Sequence, residues 1–177
     1  MKIKKKNKFL KGHFGTDNTE YDFSIFDGAI LITQNFMKKV FEEVSKLSDK
    51  IHCLFIYHEQ TKDAMKKFGI WDNFSKNKNI TIIGRQDYIN FINIVKNAEF
   101  VIGDGCGNQQ EFYYLGKPYL IMRTKVEEKT EGLNWNAVPF QNDFDMIFKF
   151  YKNYKNYKKE PVKLNCKPSL IIMDKID

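Results

Sequence analysis

The residues with the clearest chemical potential are Gly103-Asp-Gly-Cys-Gly107, which follow the apolar run Phe100-Val-Ile102 and lead into Asn108-Gln-Gln-Glu111. Glycines at this density let the main chain come close to a ligand, and they feed a helix whose first NH groups lack internal partners. Such a turn suits an anion, most naturally a phosphate or diphosphate held by Gly105, Cys106, Gly107 and Asn108. The same glycines also fit an ordinary tight turn. The pattern is neither GxGxxG nor GxxxxGK[ST], which argues against a dinucleotide fold and a P-loop NTPase. Glu111 lies one helical turn further on, within reach of paired ribose hydroxyls beside that anion, or it is simply a solvated helical glutamate. Cys106 sits where positive NH dipoles lower a thiol pKa, but no histidine is placed to partner it as a nucleophile.

Other reactive groups are sparse. His58 closes an apolar run and reads either as a cleft residue or as a hydrogen-bonded histidine at a strand end. His13 and His52 read as surface or structural residues, and Trp71 and Trp135 as packing residues. Three widely spaced cysteines without a CxxC pair, and three histidines without ligand spacing, suggest a reducing cytosol, no metal and no cofactor. No run approaches the roughly 18 apolar residues needed to cross a bilayer, and no apolar segment follows the opening lysines, so a cytoplasmic protein is expected.

The formal charge is +7, concentrated near the amino end and in Tyr151-Lys-Asn-Tyr-Lys-Asn-Tyr-Lys-Lys159. This balance attracts anions in general and leaves peripheral contact with acidic lipid open. Nucleic acid is the weaker alternative: the interleaved tyrosines could stack on bases, or could form one face of a helix.

With 177 residues, 42% of them hydrophobic, the chain can build one domain. Residues 1–27 read as an extended lead-in with a turn near Gly12 to Asn18, and residues 28–177 as the domain. Strands are expected at 29–33, 51–57, 80–83, 100–102, 119–122 and 137–138. Helix-period stripes separate them: Phe36, Met37, Val40, Phe41, Val44 and Leu47, then 61–68, then Tyr88, Phe91, Ile92, Val95 and Ala98, then 107–115. Gly116-Lys-Pro118 closes the last of these. A long helix is expected from Phe144 and a short one over 169–173. Strands alternating with helices predict an α/β fold, a single Rossmann-like domain with a doubly wound parallel sheet. Ligands of such sheets sit beyond the carboxyl ends of the strands, which here carry Thr33-Gln-Asn35, His58-Glu-Gln60 and Asp104 to Gln110.

These residues resemble a family. Asp104-Gly-Cys-Gly-Asn-Gln-Gln-Glu111, Leu115-Gly-Lys-Pro118, Leu120-Ile-Met-Arg123 and Glu127-Glu-Lys-Thr-Glu-Gly132 are similar to motifs in the carboxyl-terminal half of UDP-N-acetylglucosamine 2-epimerases. Tyr57-His58 and Asp87-Tyr-Ile-Asn-Phe91 resemble two more. The resemblance implies the carboxyl-terminal half of a GT-B fold, binding UDP or a UDP-sugar. By the same resemblance, NH groups of Gly105, Cys106 and Gly107 would hold the diphosphate and Glu111 the ribose. Phe91, with backbone of Arg85 and Gln86, would line the uracil pocket. Asp104, His58, Arg123, Lys129 and Asn35 would border the cleft.

The sequence departs from the family pattern where catalysis would need it. Gly105 replaces a serine, Gln110 a glutamate, Lys129 an arginine and Asn35 a histidine. Family enzymes are much longer, and their proton-shuttling acids lie in an amino-terminal domain with no counterpart here. The resemblance therefore implies a nucleotide-sugar-binding half that needs a separate amino-terminal-half polypeptide or a homo-oligomer. Half of a split glycosyltransferase and a non-catalytic module for protein association are the alternatives.

Overall fold

The computed structural model describes residues 9–14, 27–103, 108–122 and 132–163, with side chains from residue 34 onward. Within these, the elements are β1 (Phe9–Phe14), α1 (Asp27–Ser48), β2 (His52–Tyr57), α2 (Glu59–Lys67), α3 (Trp71–Ser75), β3 (Ile80–Ile83), α4 (Tyr88–Asn97), β4 (Phe100–Gly103), α5 (Gln109–Tyr114), β5 (Tyr119–Ile121), β6 (Ala137–Pro139) and α6 (Met146–Asn153). A 3₁₀ turn (Tyr154–Tyr157) continues α6. The strands form one parallel sheet in the order β3-β2-β1-β4-β5-β6, the doubly wound arrangement.

Burial on both faces explains why β4 and β5 are apolar throughout. In β4, Phe100 and Ile102 pack on one side and Val101 on the other; in β5, Leu120 opposes Tyr119 and Ile121 in the same way. On the first face, Val40, Phe41, Val44 and Leu47 of α1 meet Ile147, Phe150 and Tyr154 across β2, β4 and β5. Edge-on rings consolidate it: Phe41 lies 4.9 Å from Phe74 and 5.4 Å from Phe55. The second face covers Val101, Tyr119 and Ile121 with Phe91 and Val95 of α4 and Phe112 of α5. Each such side chain contributes about 1.5–3 kcal/mol by leaving water.

The expected elements recur with small boundary changes, but the start of the chain differs. The strand expected at 29–33 is the first part of helix α1, and the sheet's inner strand β1 comes from Phe9–Phe14 in the stretch read as a lead-in. A short apolar run has no period that separates strand from helix, and Ala29 to Thr33 merges with the stripe that starts at Phe36. Lys11, Gly12 and His13 interrupt the pattern that would have marked β1. Asn35 accordingly lies inside α1, exposed, and not at a strand end. The five-residue α3 has too few positions to show a stripe. The long helix expected from Phe144 is eight residues of α6 plus the 3₁₀ turn. The helix expected at 169–173 lies outside the described residues.

The amino-side turns are tightly fastened. Gly116 has φ 59° and ends α5, with its NH bonded to the Tyr113 carbonyl at 2.9 Å and the Lys117 NH to that of Phe112 at 2.8 Å. A Cβ there would run into the Lys159 carbonyl, because residues 159–162 cross this turn through Lys159 NH to Gly116 O and Val162 NH to Tyr114 O.

Cys53 is buried in β2, and desolvation pushes its thiol up to about 12 from the ordinary 9.0. A raised folded pKa contributes stability that is complete below pH 9 and is lost as pH rises toward 12. Chemical denaturation across that window is expected to show stability falling more steeply, by up to about 1.4 kcal/mol per pH unit, than in Cys53→Ala.

Candidate functional site at the carboxyl rim

All six strands point the same way, so their carboxyl ends share one rim of the sheet. Tyr57, Ile83, Gly103, Ile121 and Pro139 are the last strand residues there. The segment 104–107, which leaves β4 at the middle of this rim, lies outside the described residues, and with it Asp104, Gly105, Cys106 and Gly107. Arg123 and Lys129 lie outside them too. What is described is the frame on both sides of that segment.

On the β4 side, the Gly103 carbonyl accepts two hydrogen bonds, from the Tyr119 hydroxyl at 2.9 Å and from the Met122 NH at 2.7 Å. The chain therefore leaves the sheet from a fixed point. On the far side, Asn108 precedes α5, Gln109 is buried, and Phe112 packs beneath, its ring 4.8 Å from that of Tyr119. Glu111 is in the first turn of α5. Its Oε2 is shielded from solvent and meets no hydrogen-bond donor among the described residues. A carboxylate oxygen in that condition costs free energy unless a donor arrives from elsewhere.

On the β2 and β3 side, His58 is half-buried at the start of α2. Its neighbour Tyr57 takes a hydrogen bond from Lys62 Nζ at 3.3 Å, and the same ammonium sits 4.7 Å from the Tyr57 ring centre and 5.4 Å from that of Trp71. The Tyr57 hydrogen bond raises the Lys62 pKa, opposed by desolvation and helped by Glu59. Gly84 follows β3, and a Cβ on it would touch the Tyr57 hydroxyl at 3.7 Å. Gln86 folds back to donate Nε2 to the Gly84 carbonyl at 2.9 Å, while Arg85 is exposed. Asp87 then caps α4 by accepting the Asn90 NH at 2.8 Å. Phe91 is buried in the second core face, its ring 6.3 Å from Phe112.

The rim thus gathers His58, Arg85, Gln86, Asn108 and Glu111, while Asn35 is on α1 beside Phe36, whose ring lies 5.8 Å from that of Phe140, just past β6. Sequence reading missed Tyr119 and Asn136. Asn136 is 1% exposed and donates Nδ2 to the carbonyls of Phe112 at 3.0 Å and Lys117 at 2.8 Å, which anchors the far end of α5. Its Oδ1 lacks a donor and lies against Gly132, whose φ of 78° and close approach exclude a side chain. The polar Asn within Asn134-Trp-Asn136, just before an apolar strand, was the available signal.

A doubly wound parallel sheet with the loops after its strands at one carboxyl rim defines a Rossmann-like unit, here equivalent to the carboxyl-terminal half of a GT-B architecture. A family model described as UDP-N-acetylglucosamine 2-epimerase matches residues 30–164, and the chain belongs to that family.

Among curated relatives, a UDP-N-acetylglucosamine 2-epimerase of Methanocaldococcus jannaschii is 28% identical over 133 residues, which are 72% of this chain and 36% of that protein. One from Methanococcus maripaludis is 30% identical over 109 residues, 59% of this chain and 30% of that protein. Among solved structures, the M. jannaschii UDP-GlcNAc 2-epimerase in complex with UDP-GlcNAc and UDP superposes with a TM-score of 0.74 at 21% identity, over 96% of this chain and 45% of that one. The Neisseria meningitidis enzyme bound to UDP-GlcNAc gives 0.73 at 18% identity, over 98% and 46%. The chain spans about a third of the curated relatives' length and under half of the solved ones.

Two substitutions probe the frame. Tyr119→Phe removes one of the two donors on Gly103 and is expected to cost about 1 kcal/mol in urea denaturation. Asn136→Ala removes the hydrogen bonds to the Phe112 and Lys117 carbonyls, although the Phe112 carbonyl keeps the Lys117 NH, and is expected to cost about 2 kcal/mol by the same measurement.

Proposed function

We propose that this chain is a UDP- or UDP-sugar-binding half of an epimerase-like GT-B protein, with residues 28–177 as its binding unit seated on β1. The observation that carries the reading is the shielded, donorless Glu111 Oε2, one turn past the glycine segment, where a ribose diol would supply the missing O–H donors. NH groups of Gly105, Cys106 and Gly107, with Asn108, take the diphosphate in this reading. Arg85 and Gln86 offer main chain to the uracil edge, and Phe91 backs it. His58, Asp104, Arg123 and Lys129 stand toward the sugar side. Asn35, exposed on α1, has no part in it.

Such a site binds and orients; it does not by itself move a proton. Epimerisation at a sugar carbon needs an acid and a base within about 3 Å of the transferred hydrogen, and we nominate no residue of this chain for either part. We assign those groups to a complementing half, supplied by a separate polypeptide or by another copy of the chain. Whether the assembled protein epimerises or transfers a glycosyl group depends on that half. The non-catalytic alternative draws support from Gln110, which is exposed and uncharged where relatives carry a second acid. It predicts retained UDP binding with no turnover in any assembly.

Isothermal titration with UDP is expected to give a saturable heat, and Glu111→Ala to weaken it about tenfold or more, the loss of two hydrogen bonds to a charged group. Absence of heat at about millimolar UDP would remove the proposal.

A further inference from the structure

The lysine- and tyrosine-rich segment 149–159 takes no part in the rim, and its geometry divides it sharply. The tyrosines turn inward. Tyr154 is buried, its ring 4.9 Å from Phe100 and its hydroxyl 3.2 Å from Glu99 Oε2. Tyr157 stacks on Phe150 at 5.7 Å, and Tyr151 lies 6.3 Å from Phe100. The lysines turn outward. Lys149, Lys152, Lys155 and Lys158 recur every third residue, and all but the first fall where α6 passes into the 3₁₀ turn or beyond it. Lys152 lies in the last turn of α6, Lys155 in the 3₁₀ turn and Lys158 just past it, and all three are exposed.

The row is also unneutralised. Lys149 is paired with Asp143 at 2.7 Å, but Lys152, Lys155 and Lys158 have no ion-pair partner among the described residues. Lys163 adds a further exposed cation, and within residues 149–163 Glu160 is the one exposed carboxylate, with Asp145 exposed at the start of α6 beside Lys149. The field reaches inward as well: after burial, the charge of Lys158 is the next cause holding the Lys117 pKa below its ordinary value.

We propose that the α6–3₁₀ face, through Lys152, Lys155 and Lys158, docks the protein on an anionic lipid bilayer. A short row of exposed, flexible ammonium groups matches a plane of headgroup phosphates, which requires charge and no fixed register. Single-stranded nucleic acid gains its affinity from exposed rings on which bases stack, and the rings of this segment are committed to the core. The surface lies apart from the carboxyl rim in sequence and works independently of what the rim binds.

The test is co-sedimentation of the full chain with vesicles of phosphatidylcholine alone and of phosphatidylcholine mixed with phosphatidylglycerol. Binding is expected only to the mixed vesicles and is expected to fall as salt rises. The triple variant Lys152→Glu, Lys155→Glu, Lys158→Glu is expected to bind about a hundredfold more weakly. The milder Lys→Gln triple is expected to fall in between, and unchanged circular dichroism of that variant shows that the fold is kept. Three results would overturn the proposal: equal binding to both vesicle types, undiminished binding by the folded triple variants, or loss caused instead by Lys4→Glu, Lys5→Glu, Lys6→Glu. Tighter, stripe-dependent binding to a single-stranded oligonucleotide than to anionic vesicles would overturn it in favour of nucleic acid.

Discussion

Two donors converge on the carbonyl of Gly103, one from the Tyr119 side chain and one from the Met122 main chain. That oxygen is the last of β4, and the glycine segment departs from it. A main chain rich in glycine has little intrinsic preference for any one path, so its exit must be set by what surrounds it. The tyrosine that donates also packs against Phe112 of α5, so a single side chain ties the exit of the segment to the helix that receives it. Asn136 holds the other end of that helix through the Phe112 carbonyl. The position of Glu111 follows from these contacts more than from anything at Glu111 itself.

The parallel sheet makes this frame useful. Because every strand runs in one direction, the polar ends after β2, β3 and β4 are brought to one rim although they are far apart in sequence. Burial of both sheet faces requires apolar residues along β4 and β5, so in those strands polar groups appear only where the strand ends. Chemistry and core are thereby separated along the chain.

That separation is why much of the molecule could be read in the residues. The Ile80–Ile83 run, the stripe from Tyr88 to Ala98 and the Gly116-Lys-Pro118 stop each carry one unambiguous local signal, and each is where expected. The start of the chain was not legible, because Ala29 to Thr33 suits either a strand or a helix and Lys11-Gly-His13 disguises a strand inside the sheet. At the rim, Glu111 could be nominated from its spacing alone. Tyr119 and Asn136 could not, because their value lies in hydrogen bonds to carbonyls 16 to 24 residues away, which no local pattern encodes. The lysine and tyrosine run was ambiguous for a different reason: composition lists both residue types together, and only packing against Phe100 and Phe150 assigns the tyrosines to the core and leaves Lys152, Lys155 and Lys158 exposed.

Lys117 gives the molecule one further property. Its half-dehydrated ammonium bonds to the carbonyls of Lys96 at 3.1 Å and Ala98 at 2.7 Å, joining the end of α4 to the turn that closes α5. Both helices begin at the opposite rim, where the Phe91 and Phe112 rings pack together. Their spacing is therefore set twice, by an apolar contact near the rim and by an ammonium at the far side, so the two kinds of force brace one another across the length of the pair.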